Sequence, residues 1–524
     1  MAEGGINAAL GNIDPKDNWK IHAIDTIKEG SFLSNPRMVE IMTKNAEPII
    51  LELEKYGAIF DRTSEGKIMQ RAFGAHTYRR TCHIGDRTGL EIMTVLVEQL
   101  CKYDIIGMSE VFITKLFKNK NKIVGALGVD LKSGEILVFN AKAIVLATGG
   151  FARLYKITTN AWENVGDGIA LACDIGVELM DMEMIQFHPT GIVYPEVARG
   201  ILVTESVRGE GGHLLNIHGE RFMKKYDPKR MELSARDIVA RAIYYEIFHN
   251  RGTKHGGVYL DITHKGKHFI NKKLPKMVKL FREFADLDIT KERMEVAPTA
   301  HYTMGGIKVD AETCATNIKG LYAAGEVTGG IHGANRLGGN SLVDILVFGK
   351  IAGSEAAKYA KKTRLGDIDK KEIQEEHKRI TKPFNKRGIR PESLKQELQE
   401  IMWENVDIIR DEKKLKKALQ EIKKLENKIK KIGFFGNLVY NHNWMSYIDI
   451  SNMVLVAKLV VESALIRKES RGAHYRDDYP KTDEKWKLNI VCKKLNDRLM
   501  FSKSKIPPLS EGIRLLLNVK ENKY

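Results

Sequence analysis

The stretch from Pro298 to Asp344, PTAHYTMGGIKVDAETCATNIKGLYAAGEVTGGIHGANRLGGNSLVD, constrains the chain most tightly. A short apolar run, Gly320 to Ala324, ends in Gly325-Glu326 as a buried strand entering a tight turn does. Gly329, Gly330, Gly333, Gly338 and Gly339 then surround one arginine, Arg336, and lead into the helical pattern SLVDILVFGKIAGSEAAKYA. Glycine lets a backbone approach a flat ligand closely. A helix starting near Asn340 points free N–H groups and a positive dipole end at negative charge. A lone arginine among glycines suits a carboxylate. The stretch predicts a place where a large cofactor meets a small anionic substrate, with His301 just before Gly305-Gly306.

A second apolar run, AKAIVLATGG (141–150), carries the signature of a parallel strand buried on both faces and ending at a ligand. Two such strand ends suit a long cofactor with a pyrophosphate and an aromatic ring system. No GxGxxG follows a strand anywhere in the sequence, so the usual dinucleotide fingerprint is absent and spacing leaves the cofactor's identity open. Gly166-Asp167-Gly168 opens a helix over 168–175. EVFITKLFKN, KIVGALGVDL and GEILVFNA predict a three-stranded meander. Residues 36–56 read as a helix capped by Asn35, with Pro36 in its first turn, Pro48 kinking or splitting it and Gly57 ending it. Residues 71–89 read as a polar, basic loop. A helix over 90–102 is expected to put Leu90, Met93, Val97 and Leu100 on one side.

Residues 192–300 change character. A helix over 231–247 carries Arg236 near its start, and VYLDIT (258–263) reads as a strand. The block reads as an inserted domain, because the strand–glycine theme resumes only after Pro298. From about 370 to 470, LKQELQEIMWENVDIIR and EKKLKKALQEIKKLENKIKKI space apolar residues by three and four, which predicts an antiparallel helical bundle with a solvated lysine face.

At 524 residues and 43% hydrophobic, the chain can bury the cores of roughly two to four domains. The net charge of +17 comes with no aromatic–basic interleaving and no nucleic-acid motif, so it reads as a lysine-rich solvated surface and not as a nucleic-acid site. Cys82, Cys101, Cys173, Cys314 and Cys492 are scattered without a CxxC, so neither an iron–sulfur ligand set nor a zinc site is visible. Cysteine usage suits a reducing cytoplasm. No apolar run reaches membrane-spanning length, and no secretory signal opens the sequence.

His188 in QFHPTG, Thr204, Glu205 and Arg208 in TESVRGEGG, Arg236, His301 and Arg336 come from five stretches, each beside glycine, proline or a turn. A site assembled from several loops has this pattern. Taken singly, each histidine reads more readily as structural, and Arg208 or Arg236 equally well as half of a salt bridge. The set points to a clamp in which arginines and histidines hold two carboxylates through charge-assisted hydrogen bonds of about 1.5–3 kcal/mol each.

Six motifs then occur in order: FHPTG (187–191), TESVRGEGG (204–212), ELSARD (232–237), PTAHYTMGG (298–306), HGANRLGGNSLVD (332–344) and RKESRGAHYRDDYP (467–480). With them the chain resembles, from Ala2 to at least Pro480, the flavoprotein subunit of succinate dehydrogenase and fumarate reductase, a family that includes L-aspartate oxidase. The resemblance implies FAD, a capping domain that closes over a dicarboxylate, and hydride exchange between flavin N5 and a carbon of succinate or fumarate. It implies Arg236 as the acid that protonates the adjacent carbon. Arginine is a poor acid on pKa grounds, so a relay through Glu205 and Arg208 is implied with it. His188, Thr204, His301 and Arg336 are implied to grip the carboxylates and twist the substrate. On the cofactor side the implied residues are Gly4, Gly5, Ala147, Thr148, Gly149, Asp167, Glu326, Asn340, Ser341 and Leu342. The helix beginning near Ser341 would direct its N–H groups at the flavin N1–C2=O edge. An iron–sulfur electron-transfer subunit is the implied partner. The protein is then expected in the cytoplasm or held at the inner face of the membrane through partner subunits, with no membrane insertion of its own and no metal site.

The expected fold class is α/β and α+β multidomain. An FAD-binding domain with a parallel sheet and a β-meander takes residues 1–191 and 301–365. An α+β capping domain (192–300) is inserted in it, and a helical bundle (366–470) and a C-terminal region (471–524) follow. In the family, Ala-Glu-Gly-Gly is preceded by a strand, GxGxxG, a helix and a second strand with an acidic residue for the ribose. Met1 is therefore expected to be an internal methionine of a longer chain. Gly338-Gly339 and Gly191 favour the succinate/fumarate branch over L-aspartate oxidase, which makes iminoaspartate. HTYRRTCHIGDRTG and AEGGINAALGN resemble the fumarate reductases of methanogenic archaea, which draw electrons from thiol coenzymes. A flavin-free remnant acting only as a binding protein is the alternative from another class.

Overall fold

The computed structural model describes residues 3–521; Met1 and Ala2, where the resemblance begins, lie outside the described residues. Helix α1 (Trp19–Glu29) is capped by Asn18, whose side chain accepts from the Lys20 and Ile21 N–H groups. Helix α2 (Pro36–Tyr56) begins and ends where its signals fall: Asn35 accepts from the Arg37 N–H, and Gly57 closes the helix at φ 114°. Pro48 does not split it. Packing against α1 offsets the hydrogen bond that proline removes.

The 71–89 segment is more than a polar loop. Thr81–Cys82 pairs antiparallel with both Ile6–Asn7 and Gln70–Arg71. Arg80 is fully buried between Asp17 and Asp25, at 2.9 and 2.8 Å. Helix α3 (Thr88–Leu100) forms, and its apolar stripe shares one side as expected, but that side faces outward. Leu90, Met93, Val97 and Leu100 are 45, 53, 49 and 53% exposed, while Ile92 and Val95 turn inward into the core that α2 also faces.

Strands β1 (Val111–Asn119), β2 (Lys122–Asp130) and β3 (Ile136–Asn140) form the expected meander. Strand β4 (Ile144–Leu146) follows. It is not buried on both faces as its composition suggested: Val145 is 38% exposed, because only one face of this short strand is covered.

Strand β5 (Ile185–Ile192) opens the part of the chain that carries most of the clamp. Helix α4 (Arg236–Phe248) begins later than expected, after a single 3-10 turn at Met231–Leu233, so that Arg236 is its first residue. Strands β6 (Val258–Asp261) and β7 (Met294–Thr303) complete an antiparallel sheet in the order His213–Leu215, β6, β7, β5. Val207, Leu214, Ile243, Leu260 and Met277 belong to a core of this region's own. His188 on β5 stands opposite Thr299 on β7, and the register slips between Ala300 and Tyr302, at His301. Such bulges re-aim a side chain.

Strand β8 (Leu321–Ala323), wholly buried, pairs in parallel with β4. Helix α5 (Asn340–Lys362) starts at Asn340 as its glycines announced. Helices α6 (Pro391–Asn405), α7 (Glu412–Ile429) and α8 (His442–Ile466) pack on one another as the expected bundle. Leu415, Ala418, Ile422 and Leu425 of α7 turn inward at spacings of three and four. The C-terminal region holds a hairpin, Leu488–Leu495 with Arg498–Lys505, whose first strand pairs with Leu179–Met180. No helix among the described residues is long and apolar enough to cross a membrane.

Candidate active site

One pocket gathers residues from all five polar stretches. Its lining includes His188, Thr204, Glu205, Arg236, His301 and Arg336, with Gly4, Gly5, Ser341 and Leu342 on one side. Arg208 is not part of the lining; it stands behind Glu205, its Nη2 3.9 Å from Oε2.

Arg236 is held on three points. Its Nε and Nη2 donate to Glu205 Oε2 at 2.9 and 2.5 Å, and its Nη1 donates to Gln186 Oε1 at 3.1 Å. The other Glu205 oxygen accepts from the Gly74 N–H at 2.9 Å. Burial alone would raise the Glu205 carboxyl, but the charges of Arg236 and Arg208 outweigh it and hold the group at about 2. Arg208 Nη1 donates to the Glu232 carbonyl at 2.6 Å, while its buried Nε and Nη2 have no hydrogen-bond partner among the described residues.

Burial, then the neighbouring arginines Arg236 and Arg208, holds His188 well below its ordinary value. Burial, His188, Arg336 and Arg236 do the same to His301. Both rings are neutral at neutral pH, with centroids 5.2 Å apart. Thr159 Oγ1 lies 2.8 Å from His301 Nδ1 and fixes that ring. Arg336 lies over the Tyr302 ring, 4.4 Å from its centroid, and donates to Ser341 Oγ at 3.2 Å. Its Nε is buried and unpartnered among the described residues. Burial and then Arg236 push its guanidinium down to about 9, so it stays charged at neutral pH. The arrangement offers two arginines, two neutral imidazoles and a threonine hydroxyl to a small dianion.

The family described as FAD binding domain matches residues 1–342, and the fumarate reductase flavoprotein C-terminal family matches residues 395–509. The chain belongs to the succinate dehydrogenase/fumarate reductase flavoprotein family. It is 48% identical over 491 residues to a subunit of the fumarate reductase (CoM/CoB) of Methanothermobacter marburgensis, covering 94% of this chain and 89% of that protein. It is 38% identical over 512 residues to the succinate dehydrogenase flavoprotein subunit of Rickettsia bellii, covering 93 and 85%. Among solved structures, Mycobacterium smegmatis Sdh1 in complex with UQ1 aligns with a TM-score of 0.89 at 43% identity, over 100% of this chain and 90% of that chain.

The FAD-binding domain of this flavoprotein places the other predicted residues near strand ends. Thr148 and Gly149 follow β4; Gly149 adopts φ 72°, and the buried Thr148 Oγ1 has no partner among the described residues. Ala147 directly follows Leu146, the last residue of β4. Asp167 begins the helix Asp167–Asp174, and burial pushes its carboxyl up to about 6. Glu326 accepts from the Thr303 N–H at 2.9 Å, and burial pushes it up to about 7. These five residues lie outside the lining of the clamp pocket. The start of α5 has Gly339 at φ 82° and no side-chain cap, which leaves first-turn N–H groups beside Ser341 and Leu342 free for a ligand. Asn340 turns its side chain into the protein instead: it accepts from Asn7 at 2.7 Å, lies 2.8 Å from His22 Nε2 and donates to Thr26 at 2.9 Å. An orphaned hydroxyl, an uncapped helix start and a glycine edge fit a flavin nucleotide.

Beyond the lining residues Glu3, Phe73 and Leu202, three residues that hold the clamp in place escaped the sequence reading. Gln186 lies two positions before His188 on β5, so strand alternation puts both on one face and was signal enough. It also donates to Asn335 Oδ1 at 2.7 Å and the Arg336 carbonyl at 2.8 Å. Asn335 in turn donates to Glu29 and Asp237 at 2.7 and 2.8 Å, tying α1 and α4 together. Neither Asn335 nor Thr159 carries a local pattern that announces it.

Proposed function

We propose that this protein is the flavoprotein subunit of a fumarate reductase or succinate dehydrogenase and interconverts fumarate and succinate. One observation carries the reading: Arg236, pinned by Glu205 and Gln186, faces the same pocket as Arg336, His188, His301 and Thr204. FAD, when bound, supplies the two-electron exchange. Gly4, Gly5, Ser341 and Leu342 would hold its flavin end, with Thr148, Gly149, Asp167 and Glu326 serving the rest.

The chain's own residues do the remaining work. Arg336 holds one substrate carboxylate, and His188, His301 and Thr204 hold the other as neutral donors. Two neutral imidazoles are the right state for this, since an N–H donor is needed without adding to the buried arginine charges already there. Arg236 then presents an N–H to the substrate carbon. Glu205 Oε2, 2.5 Å from Nη2, resupplies that proton and draws on Arg208 behind it. Run toward succinate oxidation, the same path carries the proton away. The ionised state of Glu205 makes it an acceptor poised between two guanidinium groups.

Electron exchange with a separate iron–sulfur subunit is part of the reading, supported by the likeness to proteins that are flavoprotein subunits of larger enzymes. The likeness to the fumarate reductase (CoM/CoB) of Methanothermobacter marburgensis supports thiol coenzymes as the electron source. The test is anaerobic oxidation of reduced benzyl viologen by fumarate with the FAD-loaded protein, run beside peroxide production from L-aspartate. Fumarate-dependent oxidation without peroxide is expected. Activity with aspartate alone overturns the reading in favour of an L-aspartate oxidase.

A further inference from the structure

A second cavity, of about 300 Å³, lies away from the clamp. Its volume is at the lower end of small-molecule sites. Phe187 lines it, while the next residue on β5, His188, lines the clamp pocket, so the two spaces sit back to back across one strand. The walls come from two bodies: Tyr244 and Ile247 of α4 with Pro298 of β7 on one side, Trp403 of α6 with Asp407 on the other.

Two polar groups here, the Asp407 carboxylate and the Tyr244 hydroxyl, are left largely unsatisfied among the described residues. Asp407 accepts one N–H, from Ile409 at 3.2 Å through Oδ1, and Oδ2 has no partner among the described residues. No ion pair forms on it among the described residues. Arg410 donates through Nε to the Asp407 backbone carbonyl at 3.0 Å and through Nη1 to the Glu183 carbonyl at 2.7 Å, so it does not bond the Asp407 carboxylate, and Lys414 points its ammonium at the Ile409 carbonyl at 3.4 Å. Two other polar side chains of the lining are engaged elsewhere: Arg199 lies 3.8 Å from Glu196, and His255 Nδ1 lies 2.8 Å from Glu295. The Tyr244 hydroxyl, near Asp407, also makes no hydrogen bond among the described residues; burial and then Asp407 push it up to about 12. Burial pushes Asp407 itself up to about 6, against the opposing charges of Lys414 and Arg410.

We infer that this cavity is a binding site for a small organic amine, its ammonium on Asp407 between the Trp403 and Tyr244 rings and its apolar body against Phe187 and Ile247. A carboxylate with no ion pair of its own among the described residues, in a cavity also lined by two aromatic side chains, is an arrangement that recognises an ammonium through a charge-assisted hydrogen bond and cation–π contact. Because the walls belong to α4 and to α6, a bound amine also ties the region that carries Arg236 to the helical bundle. The inference does not depend on the substrate of the clamp.

The test is calorimetric titration of the FAD-loaded protein with phenethylamine, phenethyl alcohol and 3-phenylpropanoate. The amine is expected to bind one site per chain, about tenfold or more tighter than the alcohol or the anion. Asp407→Asn, which keeps the shape, should weaken the amine by about tenfold or more. Ile247→Trp, which fills the space, should abolish binding, and saturating succinate should not displace the amine. FAD content and circular dichroism of both variants confirm that they are folded. No saturable binding of the amine, equal binding of the alcohol or the anion, unchanged affinity in Asp407→Asn, or displacement by succinate overturns the site.

Discussion

Both Nε and Nη2 of Arg236 donate to one oxygen of Glu205, at 2.9 and 2.5 Å, so a single carboxylate oxygen holds two of the three hydrogen bonds that orient the guanidinium. Replacing that carboxylate by an amide keeps a hydrogen-bond acceptor and removes the proton path. Glu205→Gln is expected to lower kcat for fumarate reduction by ~10²–10⁴-fold. The succinate dissociation constant should stay within a few-fold, which a spectral titration of the bound flavin measures.

Arg336 is the clamp arginine with no carboxylate paired to it among the described residues, and its guanidinium sits at about 9. Arg336→Leu is expected to weaken succinate binding by roughly 10- to 100-fold, the size of a charge-assisted hydrogen bond. The sign of the pH dependence follows: binding holds through neutral pH and weakens as the pH rises through about 9, where the cation is lost. Titration of the flavin spectrum with succinate at successive pH values reads both effects.

His474, in the RGAHYRDDYP motif, is fully buried, with Arg410 Nη1 3.0 Å from its Nδ1. Burial, then Arg410, Arg467 and Arg476, holds it well below its ordinary value. The folded state therefore binds fewer protons than the unfolded state below pH ~6.5, and stability present above that pH is lost as the pH falls. The slope is about 1.4 kcal/mol per pH unit for one such group. His474→Gln should flatten urea-unfolding stability between about pH 6 and 5 by that amount.

Much of the fold was legible because its signals are local. Asn35, Pro36 and Gly57 fix both ends of α2, and Gly338-Gly339 fix the start of α5. The polar residues of the clamp stood out because each sits beside glycine, proline or a turn, and all but Arg208 line one pocket. What failed depends on partners far away in sequence. Leu90, Met93, Val97 and Leu100 have the spacing of a buried stripe, yet Ile92 and Val95 are the residues that meet the core. Arg80 looks like a loop cation until Asp17 and Asp25 enclose it. Pro48 lies within a helix that tertiary packing keeps whole.

Asn335 bridges Glu29 and Asp237, and burial and then Asp237 already hold Glu29 well above the usual carboxylate range. Asn335→Asp adds a third carboxylate to this cluster. We expect it to destabilise the protein by about 2 kcal/mol at neutral pH, with partial recovery near pH 5 as the added carboxyl takes up a proton. Urea unfolding at the two pH values checks the sign.

The most direct measurement is the rate of fumarate-dependent viologen oxidation by FAD-loaded Arg236→Gln against the parent protein, with succinate affinity determined on the same preparations. We expect a rapid parent and a variant at least ~10²-fold slower that still holds FAD and binds succinate to within about tenfold. A variant that turns over at the parent rate would contradict the assignment of Arg236 as proton donor, and a parent that does not reduce fumarate would contradict the function itself.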